Sequence, residues 1–278
     1  MLFRKHIPAY PLCNVIQHMV YVKGGSSAIP YIKELPGSGI NLVIDLNEKT
    51  SNTIFAEHDF SGKHIVKNAW ISGVQAKAIY YKNNPESTIV SVRFTMGGFY
   101  ALSKTPITAI GHVGLDAVSI FGNSFNHLYQ KLIEAADVDA VFALIENYFV
   151  QYAIEASFES SLVRFIDKNI ARPIDWLINK SGYSQKHVIS VVKKQTGFSP
   201  KYLQRLNRFQ NVVNEIQLLR ERTDWLTIVQ RYGYHDQAHF VKEFAHFTGI
   251  TPTEYLRSQL EIEGNQLVTD MILSPPTR

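Results

Sequence analysis

Two stretches of this chain are one unit written twice. SQKHVISVVKKQTGFSPKYL (184–203) and DQAHFVKEFAHFTGITPTEY (236–255) align at an offset of 52. Five pairs are identical: Gln185/Gln237, His187/His239, Thr196/Thr248, Gly197/Gly249 and Pro200/Pro252. Ile189/Val241, Phe198/Ile250 and Ser199/Thr251 are conservative matches. A repeat this dense means the same supersecondary unit built twice. Each copy opens with a short apolar helix, Ile174–Lys180 and then Trp225–Tyr232, followed by a glycine-aromatic turn at Gly182-Tyr183 and Gly233-Tyr234. Ser184 and Asp236 stand as N-caps, their side-chain oxygens able to accept from the first free helical N–H groups. The helix that follows ends at Gly197 or Gly249, the residue type suited to a left-handed C′ position. Ser199-Pro200 and Thr251-Pro252 then start another helix, cap followed by proline. Short helix, tight turn and longer capped helix outline a helix-turn-helix, whose second helix enters the major groove.

Between the copies, Pro200–Glu221 offers a helical connector. About twenty residues at ~1.5 Å each span about 30 Å, close to the ~34 Å between successive major-groove faces. Two such units also suit a helical repeat for protein contacts; the charge distribution favours a polyanion. Of the 278 residues, 28 are Lys or Arg and 24 Asp or Glu, a net charge of +4. Residues 1–156 hold 12 basic and 12 acidic side chains, whereas 157–262 hold 15 basic and 10 acidic. Between Asp175 and Glu215 there is no carboxylate, while Lys180, Lys186, Lys193, Lys194, Lys201, Arg205 and Arg208 all fall there. A segment so one-sided repels itself unless solvated or set against nucleic acid.

The N-terminal half reads differently. Val15–Val22, Ile40–Leu46, Ala76–Tyr81 and Thr88–Met96 are rich in β-branched and aromatic residues, several alternating apolar with polar. Gly24-Gly25-Ser26, Pro36-Gly37-Ser38-Gly39, Ser61-Gly62 and Asn83-Asn84-Pro85 punctuate them as turns. An antiparallel sandwich or barrel is expected, followed by helices over Phe125–Ala136 and Asp137–Ala153. The apolar stripe Val138, Val141, Phe142, Ile145, Tyr148, Phe149 and Tyr152 must pack on the barrel, on the second domain or on a twin subunit.

Enzyme chemistry finds little support. His6, His18, His58, His64, His112 and His127 are scattered, and Glu57-His58…His64 lacks the spacing of common metal sites. No phosphate loop or nucleophile elbow is present. No catalytic residue, metal or cofactor is therefore expected. Tyr80, Tyr81, Arg93 and Phe94 are conceivable ligand-lining residues, although core packing explains them as well. A lone Cys13 excludes an intramolecular disulfide framework, no apolar run approaches the ~18–20 residues of a membrane span, and MLFRKHIPAY is no signal peptide. The expectation is a cytoplasmic chain.

From about Phe158 to Leu260 the sequence resembles the DNA-binding domain of AraC/XylS-type transcription regulators. The residues that carry this are GYSQKHVISVVKKQTGFSPKYL (182–203), RFQ (208–210) and above all GYHDQAHFVKEFAHFTGITPTEYL (233–256). Val192 stands where the family usually has phenylalanine, as in Phe244, and Ile178 and Val229 stand where alanine is common. Leu35-Pro36, Asn41-Leu42, Ser72-Gly73, Val92-Arg93-Phe94 and Gly97-Gly98 more weakly resemble the regulatory domain of one subgroup.

The resemblance implies a regulatory or dimerisation domain over 1–156, a DNA-binding domain of two helix-turn-helix units over 157–262, and a tail, 263–278. It places the base-facing positions on Gln185, Lys186, Ile189 and Ser190, and on Gln237, Ala238, Val241 and Lys242. Each set is i, i+1, i+4 and i+5, one face of a helix. Gln185 and Gln237 suit bidentate pairing with adenine and Lys186 suits guanine acceptors, while Ile189, Ala238 and Val241 can meet thymine methyls. Lys193, Lys194, Lys201, Arg205 and Lys242 suit phosphates. The partners implied are double-stranded DNA, a small-molecule effector, a second copy and, for an activator, RNA polymerase. The competing reading is a small-molecule-binding barrel or enzyme whose helical half makes only protein contacts.

Overall fold

The computed structural model describes residues 2–24, 31–56, 60–110, 114–159, 161–219, 223–260 and 268–270. Gly25, Ser26, Glu57, His58, His112, Glu221 and all of the 263–278 tail except 268–270 lie outside the described residues.

The N-terminal strands are β1 (Leu2–His6), β2 (Ile16–Lys23), β3 (Tyr31–Glu34), β4 (Asn41–Asp45), β5 (Asn52–Phe55), β6 (Lys63–Val66), β7 (Ala69–Ser72), β8 (Ile79–Lys82), β9 (Thr88–Phe94) and β10 (Leu115–Asp116). One sheet runs β1-β2-β9-β4-β7-β10, antiparallel throughout. The second runs β3-β8-β5-β6, also antiparallel, and its outer edge carries β11 (Val268–Asp270) parallel to β3. Helices α1 (Gly98–Ser103), α2 (Ala117–Phe121), α3 (Asn123–Ile133) and α4 (Val138–Glu159) complete this half.

Alternation along the strands sorts side chains to two faces. Leu42, Ile44 and Ile71 point to a core shared with Phe99, Phe125, Leu132, Phe142, Ile145 and Phe149 of the helices. Val43 and Trp70, one residue out of step, meet Ile54 and Ile79 of the second sheet. The larger sheet is thus covered on both sides, so β4 and β7 are almost wholly buried. Of the three partners open to the α4 stripe, the sheet takes it: Val141, Phe142, Ile145 and Phe149 are all buried in this core. Among the described residues no group of three or more His, Cys, Asp or Glu side chains could hold a metal ion. His6 stacks on Phe142 and bonds Glu146 Oε1 at 2.9 Å, while His64 is exposed on β6.

The C-terminal half is helical: α5 (Ser161–Lys168), α6 (Ile174–Ser181), α7 (Gln185–Thr196), α8 (Pro200–Leu219), α9 (Trp225–Arg231), α10 (Gln237–Thr248) and α11 (Pro252–Leu260). Among the described residues no helix is long and apolar enough to cross a membrane. The two halves meet closely. Met96, just after β9, joins the core of Val163, Leu177, Val188 and Val192. Phe198, half-buried, packs against that core, against the second helical core and against the sheet core alike.

Gly97-Gly98 turns the chain from β9 into α1. Gly97 has φ +78°, and a Cβ on Gly98 would collide with the carbonyl oxygen of Val15 and sit 2.6 Å from Thr95 Oγ1. Backbone cannot yield as a side-chain tip does. Gly98→Ala should therefore cost about 2–3 kcal/mol, read as a lower urea midpoint at unchanged slope. An unchanged midpoint contradicts this packing.

Candidate nucleic-acid interface

Both repeat units close on themselves through local chemistry. Gly182 and Gly233 take φ +74° and +66° after α6 and before α10 respectively, conformations that favour glycine. Ser184 Oγ accepts from His187 N at 3.3 Å, and Asp236 Oδ1 accepts from His239 N at 2.7 Å. That N–H, followed by the His235 side chain, holds the Asp236 carboxyl below its usual value. Gly197 and Gly249 end their helices at φ +80° and +78°. The caps and stops expected from the repeat are all in place.

One face of each second helix then becomes available. Val188 and Val192 point from α7 into the first core, and Phe240, Phe244 and Phe247 point from α10 into the second. On the opposite side of α7, Gln185, Lys186, Ile189 and Ser190 are exposed and line a shallow depression of about 450 Å³. Ile189 is 38% exposed, unusual for an isoleucine in a packed helix. On α10, Gln237, Ala238 and Lys242 are exposed, whereas Val241 is half-buried against the second core. The fold thus brings each predicted set onto one surface, with Val241 shared between surface and core.

The cations are distributed less evenly. Lys193 and Lys201 are exposed. Lys194 Nζ lies 5.1 Å over the Tyr100 ring of α1. Arg205 is bound inward: its Nε donates to Glu243 Oε2 at 2.7 Å, and its guanidinium lies over Tyr202 and Phe247. Arg208 donates to Glu243 Oε1 through Nε (3.0 Å) and Nη2 (2.6 Å), with Tyr234 4.3 Å beneath. Glu243 itself is 3% exposed. A second carboxylate, Glu215 of α8, accepts from Arg231 and from Tyr232 Oη at 2.6 Å. Burial, then Glu215, pushes the Tyr232 phenol up to about 12.

Sequence reasoning did not single out this clamp. One signal was available: Glu243 interrupts the apolar face 240, 244 and 247 of α10, and an acid there needs cations from another element. The histidines of the two units sit in local roles. His187 stacks on Tyr183 at 4.7 Å, and His239 Nδ1 accepts from His235 N.

Two cores share one connector. Leu203 of α8 belongs to the first core, and Leu206, Phe209, Val212, Val213 and Ile216 to the second. Residues 177–258 match a family described as a helix-turn-helix domain. The multiple antibiotic resistance protein MarA of Escherichia coli is 26% identical over 110 residues, covering 38% of this chain and 84% of MarA. MarA of Salmonella typhimurium is 25% identical over 111 residues, 39% of this chain and 85% of that protein. The solved structure of ToxT from Vibrio cholerae aligns over 92% of this chain and 97% of its own, with TM-score 0.42 and 11% identity.

Removing the clamp's carboxylate leaves two guanidiniums half inside a core. Glu243→Ala should destabilise the chain by about 3 kcal/mol, and a double-mutant cycle with Arg208→Ala should show strong coupling. Additive losses in urea unfolding contradict the clamp.

Proposed function

We propose that this chain is a DNA-binding transcription regulator of the AraC type, a reading supported by the helix-turn-helix match over residues 177–258, and that its two units dock in successive major grooves of one duplex. The observation that carries this is the pair of exposed faces, 185/186/189/190 and 237/238/241/242, at equivalent positions of two units on one rigid connector. At ~1.5 Å per residue the 20 residues of α8 reach about 30 Å, which suits one turn of duplex between reading heads.

Within this reading Gln185 and Gln237 pair with adenine, Lys186 meets guanine, and Ser190 and Lys242 complete the polar contacts. Ile189, Ala238 and the free edge of Val241 touch thymine methyls, so direct readout is sparse and DNA shape shares in it. Lys193, Lys194 and Lys201 take phosphates, which set affinity and register. Arg205 meets a phosphate from within its Glu243 pair, chiefly holding α10 in place. The β-rich half would serve as the sensor or the dimer contact. Its buried polar network is internally satisfied: Glu34 accepts from Tyr81 Oη at 2.6 Å and Asn41 Nδ2 at 3.3 Å, and Arg93 donates to Asn41.

Gln237→Ala should weaken specific binding by ~1–3 kcal/mol and relax preference at one base position. Lys193→Ala should weaken all duplexes alike and reduce the salt slope by about one. Fluorescence anisotropy against specific and random duplexes separates the two. Unchanged affinity and salt slope in both variants would sink groove docking.

A further inference from the structure

Segment 73–78, between β7 and β8, touches the helical half at three places. Val74 packs against Gly197, where an added Cβ would lie 3.2 Å from Val74 Cγ2 and 3.1 Å from Ile107 Cγ2. The Ala76 carbonyl accepts from Tyr202 Oη of α8 at 2.9 Å. The Ala78 N–H donates to the Phe247 carbonyl at 3.0 Å. Gly197 caps α7 and Phe247 sits in the last turn of α10. One short segment therefore holds the C-terminal ends of both reading helices and leaves their exposed faces open.

The repeat makes a second comparison possible. At the offset of 52, Lys194 corresponds to His246, and their charged surroundings differ. Lys194 faces the Tyr100 ring, a contact whose attraction depends on a cation. His246, exposed on its solvent side, borders an interdomain groove of about 320 Å³ shared with Lys77, Ala78 and Tyr80. Its ring meets Phe247 at 5.1 Å and Tyr202 at 6.5 Å, the residues whose backbone and hydroxyl bond to the segment. The charges facing it are Lys77 from the segment, Arg205 from α8 and Glu243 on its own helix. Both oxygens of Glu243 are already engaged by Arg205 and Arg208. The first unit's contact holds a permanent cation, while the second unit's contact favours a neutral ring.

We propose that His246 is a proton-sensitive latch: neutral, it lets segment 73–78 brace both reading helices at a fixed separation, and protonated, it detaches the second unit from that segment and lowers DNA affinity. The inference rests on the reading of α7 and α10 as DNA-contacting helices. Burial first, then Arg205 and Lys77, hold the docked imidazole below its usual value, with Glu243 opposing. A group whose docked pKa is depressed favours docking fully above its free value, near ~6.5, and progressively less as pH falls below it. A braced pair of helices loses less freedom on meeting DNA, so detachment weakens binding without touching a base contact.

The test uses the full chain, with a duplex it selects from random sequence. The protection factor of the Ala78 amide and the duplex affinity are each measured at about pH 7.5 and about pH 5.8. In the wild type both should fall several-fold on acidification. His246→Gln should show neither fall, and Lys77→Met, which removes one facing cation, should show a smaller one. The latch is overturned if His246→Gln loses Ala78 protection as the wild type does, or if wild-type protection does not respond to pH. Absence of duplex binding with the Ala78 response intact would instead overturn the DNA reading on which the inference rests.

Discussion

Glu243 is an acid in a helix otherwise packed through phenylalanines, and two arginines one turn apart on α8 are what make its burial tolerable. Taking a carboxylate out of water is costly unless its lone pairs are filled by cations with good geometry, and three N–H donors at 2.6 to 3.0 Å fill them here. The consequence reaches beyond the pair. The connector α8 and helix α10 cannot rotate independently without exposing a bare charge. Glu215, holding Arg231 and Tyr232, ties α8 to the end of α9 in the same way. A helix that would otherwise be a flexible rod end becomes a fixed mount.

The same clamp explains why a charge profile reads ambiguously. The carboxylate-free stretch 176–214 contains cations of two kinds. Arg205 and Arg208 are answered by a carboxylate thirty-odd residues further along the chain, which binds them first to internal structure. Lys186, Lys193 and Lys201 remain exposed and carry the outward field. Two roles are also visible in the repeat. Position 194 holds a lysine over the Tyr100 ring, whereas position 246 holds a histidine beside the Tyr202 and Phe247 rings, with Lys77, Arg205 and Glu243 as its charged neighbours. Copying a unit preserves its caps and core, while the neighbours of each copy decide what its remaining residues do.

How much was legible in the sequence follows from the range of each interaction. The caps at Ser184 and Asp236, the left-handed glycines 182, 197, 233 and 249, and the helices between them depend on residues a few positions apart. They read directly. β2, β4 and β9 were also visible because β-branched runs bounded by turns mark them. β3 was not: YIKE holds Lys33 and Glu34, both buried, and nothing local announces that. Glu34 is accommodated by Tyr81, 47 residues away, and by Arg93, whose charge opposes the rise in its pKa that burial causes. β5, β6 and β7 are four-residue strands whose identity comes from pairing partners. The exposed faces of α7 and α10 were predictable from helical spacing; the inward turn of Arg205 and the bracing of both helix ends by segment 73–78 needed the fold.

The central claim is that two equivalent reading helices, fixed on one connector, contact a single duplex at once. Selection of bound duplexes from random DNA by the full chain, followed by sequencing, tests it most directly. Two short recognition elements separated by about one helical turn, 10–10.5 bp between centres, are predicted. A single enriched element, or two elements at freely varying spacing, would contradict it.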